Sequence, residues 1–184
     1  MLIEKHPRRG GAGARFSILI PTWNNLECLQ LCLRSLEKNS TYPHQWIIHV
    51  NEGTDGTLEW VRDQDFDYTH SPENVGVCYA LNAGRSLLQT DYLVFFNDDM
   101  YACPGWDEAL WQEIQAIGHD AFFLSSTMIE PIRTGNNCVI APHDYGRSPE
   151  AFDEERLLRE YDRHDFPDWS GATWPPNVVH RDRW

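Results

Sequence analysis

Short apolar runs alternate along this chain with apolar residues at helical spacing. Phe16-Ser17-Ile18-Leu19-Ile20 is a run stopped by Pro21, and it predicts a buried strand. Leu26, Leu29, Leu33 and Leu36 then recur at helical spacing. Asn24 stands as the N-cap, Glu27 as its capping-box partner and Asn39-Ser40 as the stop. Trp46-Ile47-Ile48-His49-Val50 predicts a second strand. The turn-rich segment Asn51 to Thr57 opens a helix carrying Leu58 and Val61, with Asp55 placed to cap it, and Tyr68-Thr69-His70 predicts a short third strand. Asn74 to Gln89 is expected to be helical, its inner face marked by Val77, Ala80, Leu81, Gly84, Leu87 and Leu88. Tyr92 to Phe96 predicts a strand, and Gly105 to Ile117 an amphipathic helix with Trp106, Leu110, Ile114 and Ile117 on one side. Ala121 to Met128 and Cys138 to Ala141 read as strands. Glu150 to Arg163 reads as a helix with Leu157, Leu158 and Tyr161 opposite a charged face.

Strands that alternate with helices predict an α/β fold, a mostly parallel sheet joined by right-handed crossovers. The turns Pro21-Thr22-Trp23-Asn24, Asn51 to Thr57, and Asn97-Asp98-Asp99 then fall at the C-terminal ends of strands, along one sheet edge. Ligands of open α/β sheets bind at that edge. The third turn is chemically distinctive. The apolar run Tyr92-Leu93-Val94-Phe95-Phe96 ends abruptly in carboxylates, and Mg²⁺ or Mn²⁺ takes oxygen ligands and shares its shell with substrate phosphates. Taken alone, Asn97-Asp98-Asp99 also reads as an acidic turn that closes a strand.

With 184 residues, 41% hydrophobic and 23% charged, the chain suits one domain with a real core. The net charge of −13 argues against non-specific binding to nucleic acid or to anionic membranes. Asp153, Glu154, Glu155, Glu160, Asp162, Asp165 and Asp168 crowd the last quarter, as a solvated acidic face does. Five cysteines without a C-x-x-C pair argue against a disulfide framework and a structural zinc site; Cys28 and Cys32 read as core or half-core thiols, and a cytoplasmic location is expected. Residues 1–14 read as a flexible lead, ending in Gly10-Gly11-Ala12-Gly13-Ala14, with no apolar run that would make a signal peptide and no membrane span anywhere in the chain.

Four motifs in order resemble the family 2 glycosyltransferases of GT-A fold. Ile20-Pro21-Thr22-Trp23-Asn24 resembles their first-strand signature, and Asn51-Glu52-Gly53-Thr54-Asp55-Gly56-Thr57 their second-strand loop. Asn74-x-Gly76-x-x-x-Ala80-x-Asn82-x-Gly84 resembles their N-x-G helix, and Asn97-Asp98-Asp99 sits where they carry a metal-binding D-x-D. The resemblance covers the first half to three-fifths of the chain. It implies a Rossmann-like α/β/α sandwich over 15–184, binding a nucleoside-diphosphate sugar with Mn²⁺ or Mg²⁺ and transferring the sugar with inversion to an acceptor. Pro21, Thr22 and Trp23 would meet the nucleoside, and Asn51 or Glu52 the base edge, favouring a UDP- or dTDP-sugar. Asn74, Gly76, Asn82 and Asn97 would complete the donor site. Asp99 would be the main metal ligand, with Asp98 sharing the metal or facing the ribose.

The departures are specific. The second-strand loop is one residue short, and Leu81 stands where many relatives have Arg. The family's general base lies beyond a Gly-Gly stretch for which Pro176 to Trp184 looks like the lead-in, so the domain is expected to lack its C-terminal acceptor and base segment. Within the chain, Asp165 and Asp168, in the aromatic-rich run Asp165-Phe166-Pro167-Asp168-Trp169, are the acids most like a site; Asp153 and Glu154 are further ones. His180 is a candidate downstream metal ligand, and His143 beside Asp144 a weaker one. Two other readings stand beside transfer. One is a nucleotide-sugar-binding module that no longer transfers. The other is a sugar-nucleotide nucleotidyltransferase, for which Pro21 to Asn24 lacks the glycine-rich basic loop.

Overall fold

The computed structural model describes residues 3–8, 13–164 and 175–184. In chain order the elements are β1 (Glu4–His6), β2 (Ser17–Trp23), α1 (Leu26–Asn39), β3 (Gln45–Asn51), α2 (Thr57–Asp63), β4 (Asp67–Ser71), α3 (Gly76–Arg85), β5 (Tyr92–Phe95), α4 (Trp106–Ile117), β6 (Leu124–Ser125), β7 (Met128–Ile129), β8 (Val139–Ile140), α5 (Glu154–Glu160) and β9 (Asn177–His180). The main sheet has the order β1-β4-β3-β2-β5-β9-β6. Strands β4, β3, β2 and β5 are mutually parallel, whereas β1 runs antiparallel on β4 and β9 antiparallel on β5. β7 and β8 form a separate parallel pair.

Successive strand residues face opposite sides of a sheet, and here both sides are apolar. Ile18, Ile20, Ile48, Val50, Val94 and Val178 share one cluster with Leu29, Leu33 and Leu36 of α1, Val61 of α2, and Leu110 and Ile114 of α4. Leu19, Ile47, Leu93 and Val179 face the other way and cluster with Leu81 of α3. The result is a three-layer α/β/α sandwich. Each fully buried aliphatic side chain contributes about 1.5–3 kcal/mol relative to exposure. On the second face α3 lies very close to the sheet: a Cβ on Gly84 would come within 3.1 Å of Leu19.

At the other end of the strands, Asp107 anchors the start of α4. It is fully buried and accepts hydrogen bonds from the backbone N–H groups of Thr41 and Tyr42 and from His44 Nε2, at 2.8–3.0 Å. The loop after α1 is thereby tied to α4, with His44 stacked on Phe16.

Several expectations change. The 1–14 lead is not featureless, because Glu4–His6 pairs with β4 and His6 stacks on Tyr68. Asn24 does not cap α1; the helix begins at Leu26, whose N–H is capped at 3.0 Å by Asp55 from the neighbouring loop. The helix expected over Asn74 to Gln89 is confined to Gly76–Arg85, and that over Glu150 to Arg163 to Glu154–Glu160, capped by Asp153. The strand expected over Ala121 to Met128 is reduced to Leu124–Ser125, with Met128–Ile129 in the second sheet. Two adjacent valines predict no strand, yet β9 lies between β5 and β6 and pairs with both.

Candidate active site

The parallel strands end together. Trp23 pairs with Asn51, and Asn51 with Ser71, so the last residues of β2, β3 and β4 are in register along one edge. The loops beyond them are stitched by side chains. Asn24 has φ 48°; its Oδ1 accepts from the N–H groups of Gly53 and Thr54, and its Nδ2 donates to Glu52 Oε2 at 3.1 Å. Asp55 accepts from Leu26 N–H on one oxygen and from Thr57 N–H and hydroxyl on the other, and these bonds hold its carboxyl below the usual range despite some burial. Gly53 is required, since at φ 80° an added Cβ would lie 2.6 Å from Leu58 and 2.8 Å from Val50. The shortened loop therefore closes as a cross-braced turn.

Asn51 and Glu52 separate in role. Asn51 is buried, and its Oδ1 accepts from Val75 N–H and Ser71 Oγ while its Nδ2 donates to Thr22 O. It is thus engaged inward rather than offered to a base. Behind it lies His49, bonded to Thr69 Oγ1 at 2.7 Å. Glu52 stays partly exposed at the rim with φ 57°, held by Asn24. Next to this loop Trp23 is 55% exposed, which a core-packing role does not require. Asn74 accepts from Gly76 N–H, and both are exposed at the start of α3. Asn82, farther along, accepts from Trp184 Nε1 at 3.0 Å. Leu81, in the place of the expected Arg, belongs to the core under α3.

The acids follow β5. Asp98 is half-buried, and burial pushes its carboxyl up, with the charge of Asp99 adding to this; Thr22 and Asn25 beside it favour the charged form. Thr22 Oγ1 is buried without a well-formed hydrogen bond. Asp99 is exposed and faces a cavity of about 1090 Å³ together with Asn97 and Cys28. Among the described residues no basic side chain forms an ion pair with either carboxylate. The negative field reaches outward: burial and then the Asp98 and Asp99 charges raise the thiols of Cys28 and Cys32. A divalent cation fits this pair, since hard oxygens are supplied, the charge is uncompensated and the open side leaves room for phosphate oxygens. Among the described residues no group of three or more His, Cys, Asp or Glu gathers there, so such an ion would take the rest of its shell from the donor and water.

His180 does not join them. β9 runs antiparallel to β5, so Asn177 pairs with Phe95 at the site edge, whereas His180 pairs with Tyr92 at the opposite end. His180 instead lies 3.9 Å from Asp120 and 3.8 Å from Asp182. Asp165 and Asp168 fall outside the described residues. His143 does reach the cavity, its ring tilted against that of His164 with centroids 4.1 Å apart. The far wall was missed in the sequence. It runs through Ser126, Glu130, Tyr145 and Phe152. Its one legible signal is Met128-Ile129-Glu130, an apolar pair ending in an acid, as in Phe95-Phe96 before Asp98.

Solved structures share this architecture. TarS residues 1–349 from S. aureus in complex with UDP-GlcNAc superposes with a TM-score of 0.61 at 17% identity, over 90% of this chain and 45% of that one. The mannosyltransferase PcManGT from Pyrobaculum calidifontis, in complex with GDP-Man and Mn²⁺, has a TM-score of 0.53 at 20% identity, over 70% of this chain and 38% of that one. The fold is thus GT-A, and the chain spans less than half the length of these proteins. A comparison with curated proteins returns no match. The family model described as Glycosyl transferase family 2 matches residues 17–168, and the chain belongs to that family.

Proposed function

We propose that this chain binds a nucleoside-diphosphate sugar with the help of Mn²⁺ or Mg²⁺ and transfers the sugar, with inversion, to an acceptor hydroxyl. The observation that carries the reading is the Asp98–Asp99 pair, unneutralised by any basic side chain among the described residues, between the strand-end loops and a cavity of about 1090 Å³. Asp99, with Asp98 behind it, would hold the cation; bound there, it offsets charge on the diphosphate as the nucleotide departs. Trp23 and Glu52 then face the nucleoside, with Thr22 buried behind them beside Asp98: the exposed indole offers a stacking surface and Glu52 accepts from a base N–H. Uracil, thymine and guanine present such an edge. We favour UDP- or dTDP-sugars, in accord with the UDP-GlcNAc bound to TarS, whereas PcManGT holds GDP-Man. Asn74 and Gly76 complete the rim. Asn51 and Asn82 act through the bonds that fix the loop and α3.

Five free thiols accord with a cytoplasmic setting. Among the described residues no helix is long and apolar enough to cross a membrane.

Titration calorimetry with UDP-GlcNAc, dTDP-glucose and GDP-mannose, with and without Mn²⁺, tests the reading. Metal-dependent binding of one of them is expected. Absence of binding by all three refutes it, and binding without any nucleotide release favours a donor-binding module that does not transfer.

A further inference from the structure

Glu52 is the acid set against a base N–H in the reading above, and its backbone is unusual. At φ 57° it occupies the left-handed region, which a long side chain holds only where its surroundings fix it. Its N–H donates to Ser71 O at 2.9 Å, and its carboxylate accepts from Asn24 Nδ2 at 3.1 Å. Its carbonyl oxygen lies 3.2 Å from His70 Nε2. A carbonyl only accepts, so the ring carries a proton on Nε2 and donates it there. The peptide between Glu52 and Gly53 is therefore gripped from both sides. His70 holds its oxygen, and Asn24 Oδ1 accepts from its N–H at 3.0 Å. Without that grip, the conformational freedom of glycine at 53 lets the peptide turn over.

His70 lies outside the four ordered motifs. It sits in β4, in register with Val50 of β3 on one side and Glu4 of the edge strand β1 on the other. Its side chain is 12% exposed, and its Nδ1 is buried without a hydrogen bond, Glu4 Oε2 standing 3.8 Å away. Glu4 Oε2 also lies 3.4 Å from His6 Nε2, and His6 stacks on Tyr68. Strand β1 thus walls the imidazole in against the loop. Among the described residues the ring's one hydrogen bond is the one to Glu52.

We infer that His70 is a positioning residue for base recognition, an assignment that rests on the nucleotide-sugar reading above. It holds the Glu52–Gly53 peptide so that the Glu52 carboxylate meets the N–H edge of the base. Uracil N3 and guanine N1 carry the hydrogen that the carboxylate accepts. Cytosine N3 and adenine N1 set a lone pair against it instead, so UDP against CDP, and GDP against ADP, read this one contact.

The test is titration calorimetry with Mn²⁺ and each of UDP, CDP, GDP and ADP, on the wild type and on His70→Leu, His70→Asn and His70→Gln. The wild type should prefer UDP over CDP, or GDP over ADP, by at least about tenfold. His70→Leu removes the donor. His70→Asn stays polar, but its amide ends short of Glu52 O, and it serves where the apolar variant does not fold. In either one the preferred diphosphate should weaken about tenfold while its pair-mate stays within about threefold. His70→Gln places an amide N–H near the position of Nε2, and should restore the preference to within about threefold of wild type. A histidine that only supports the fold would weaken both members of a pair together, and that result overturns the assignment. So do an unchanged preference in the Leu and Asn variants, a failure of His70→Gln to restore it, and a wild type without preference in either pair. A wild type that binds none of the four refutes the underlying reading instead.

Discussion

Lowering the pH should destabilise this protein through one buried imidazole. His49 sits in β3 with 2% of its surface exposed. Its Nε2 faces Asn51 Oδ1, which can only accept, at 3.3 Å, and its Nδ1 faces Thr69 Oγ1 at 2.7 Å. The neutral ring with the proton on Nε2 satisfies both. A second proton on Nδ1 finds only a hydroxyl, in a site where burial, with the charge of His70 adding, lowers the pKa from 6.5 to about 4 despite the Asn51 bond. Between those values the unfolded chain binds more protons than the folded one. Stability from this residue is therefore whole above pH 6.5 and is lost progressively as the pH falls toward 4. At pH 5 a folded value of about 4 against 6.5 corresponds to roughly 2 kcal/mol lost. Urea unfolding followed by tryptophan fluorescence at pH 7.5 and 5.0 measures this. Carboxylates contribute too, so the comparison is with His49→Gln, which stays neutral throughout. The wild type should lose about 2 kcal/mol more than the variant between the two pH values. Equal losses would refute the argument that this ring is held neutral by its surroundings.

Asp99→Asn should abolish metal-dependent donor binding in calorimetry while moving stability by no more than about 0.5 kcal/mol, because the side chain is exposed and beside another acid. Trp23→Ala should weaken donor affinity by about 1 kcal/mol at nearly unchanged thermal midpoint, the ring being mostly in solvent. Asp107→Ala leaves two N–H donors and His44 facing an empty carboxylate site, so about 3–5 kcal/mol of stability should disappear in urea melts. Gly53→Ala forces a left-handed conformation and a contact with Leu58, and should cost at least about 2 kcal/mol together with donor affinity.

The repeated strand–helix rhythm and the four ordered motifs were legible because they are local. Ile18-Leu19-Ile20 needs only neighbours on both faces, and Asp98-Asp99 needs only a strand that ends before it. Local pattern also determined the mostly parallel sheet and the edge at which the turns meet. Other features depend on residues far apart in the chain. Asp55 bonds Thr57 in its own loop and also caps the helix that starts at Leu26, 29 positions earlier in the chain. Asn24 reads as a cap from its spacing, yet it spends its amide on Gly53, Thr54 and Glu52.

The sequence alone therefore determined the class of fold and the strand that carries the acids, since these follow from periodicity and short motifs. Only the tertiary structure decided which polar groups point into the site. It turned Asn51 inward to Val75, sent His180 to the wrong end through the antiparallel course of β9, and brought Glu130 to the cavity that Asp99 faces. The reason is physical: the direction of a strand and the partner of a side chain are set by what packs across the sheet, and no local pattern records it.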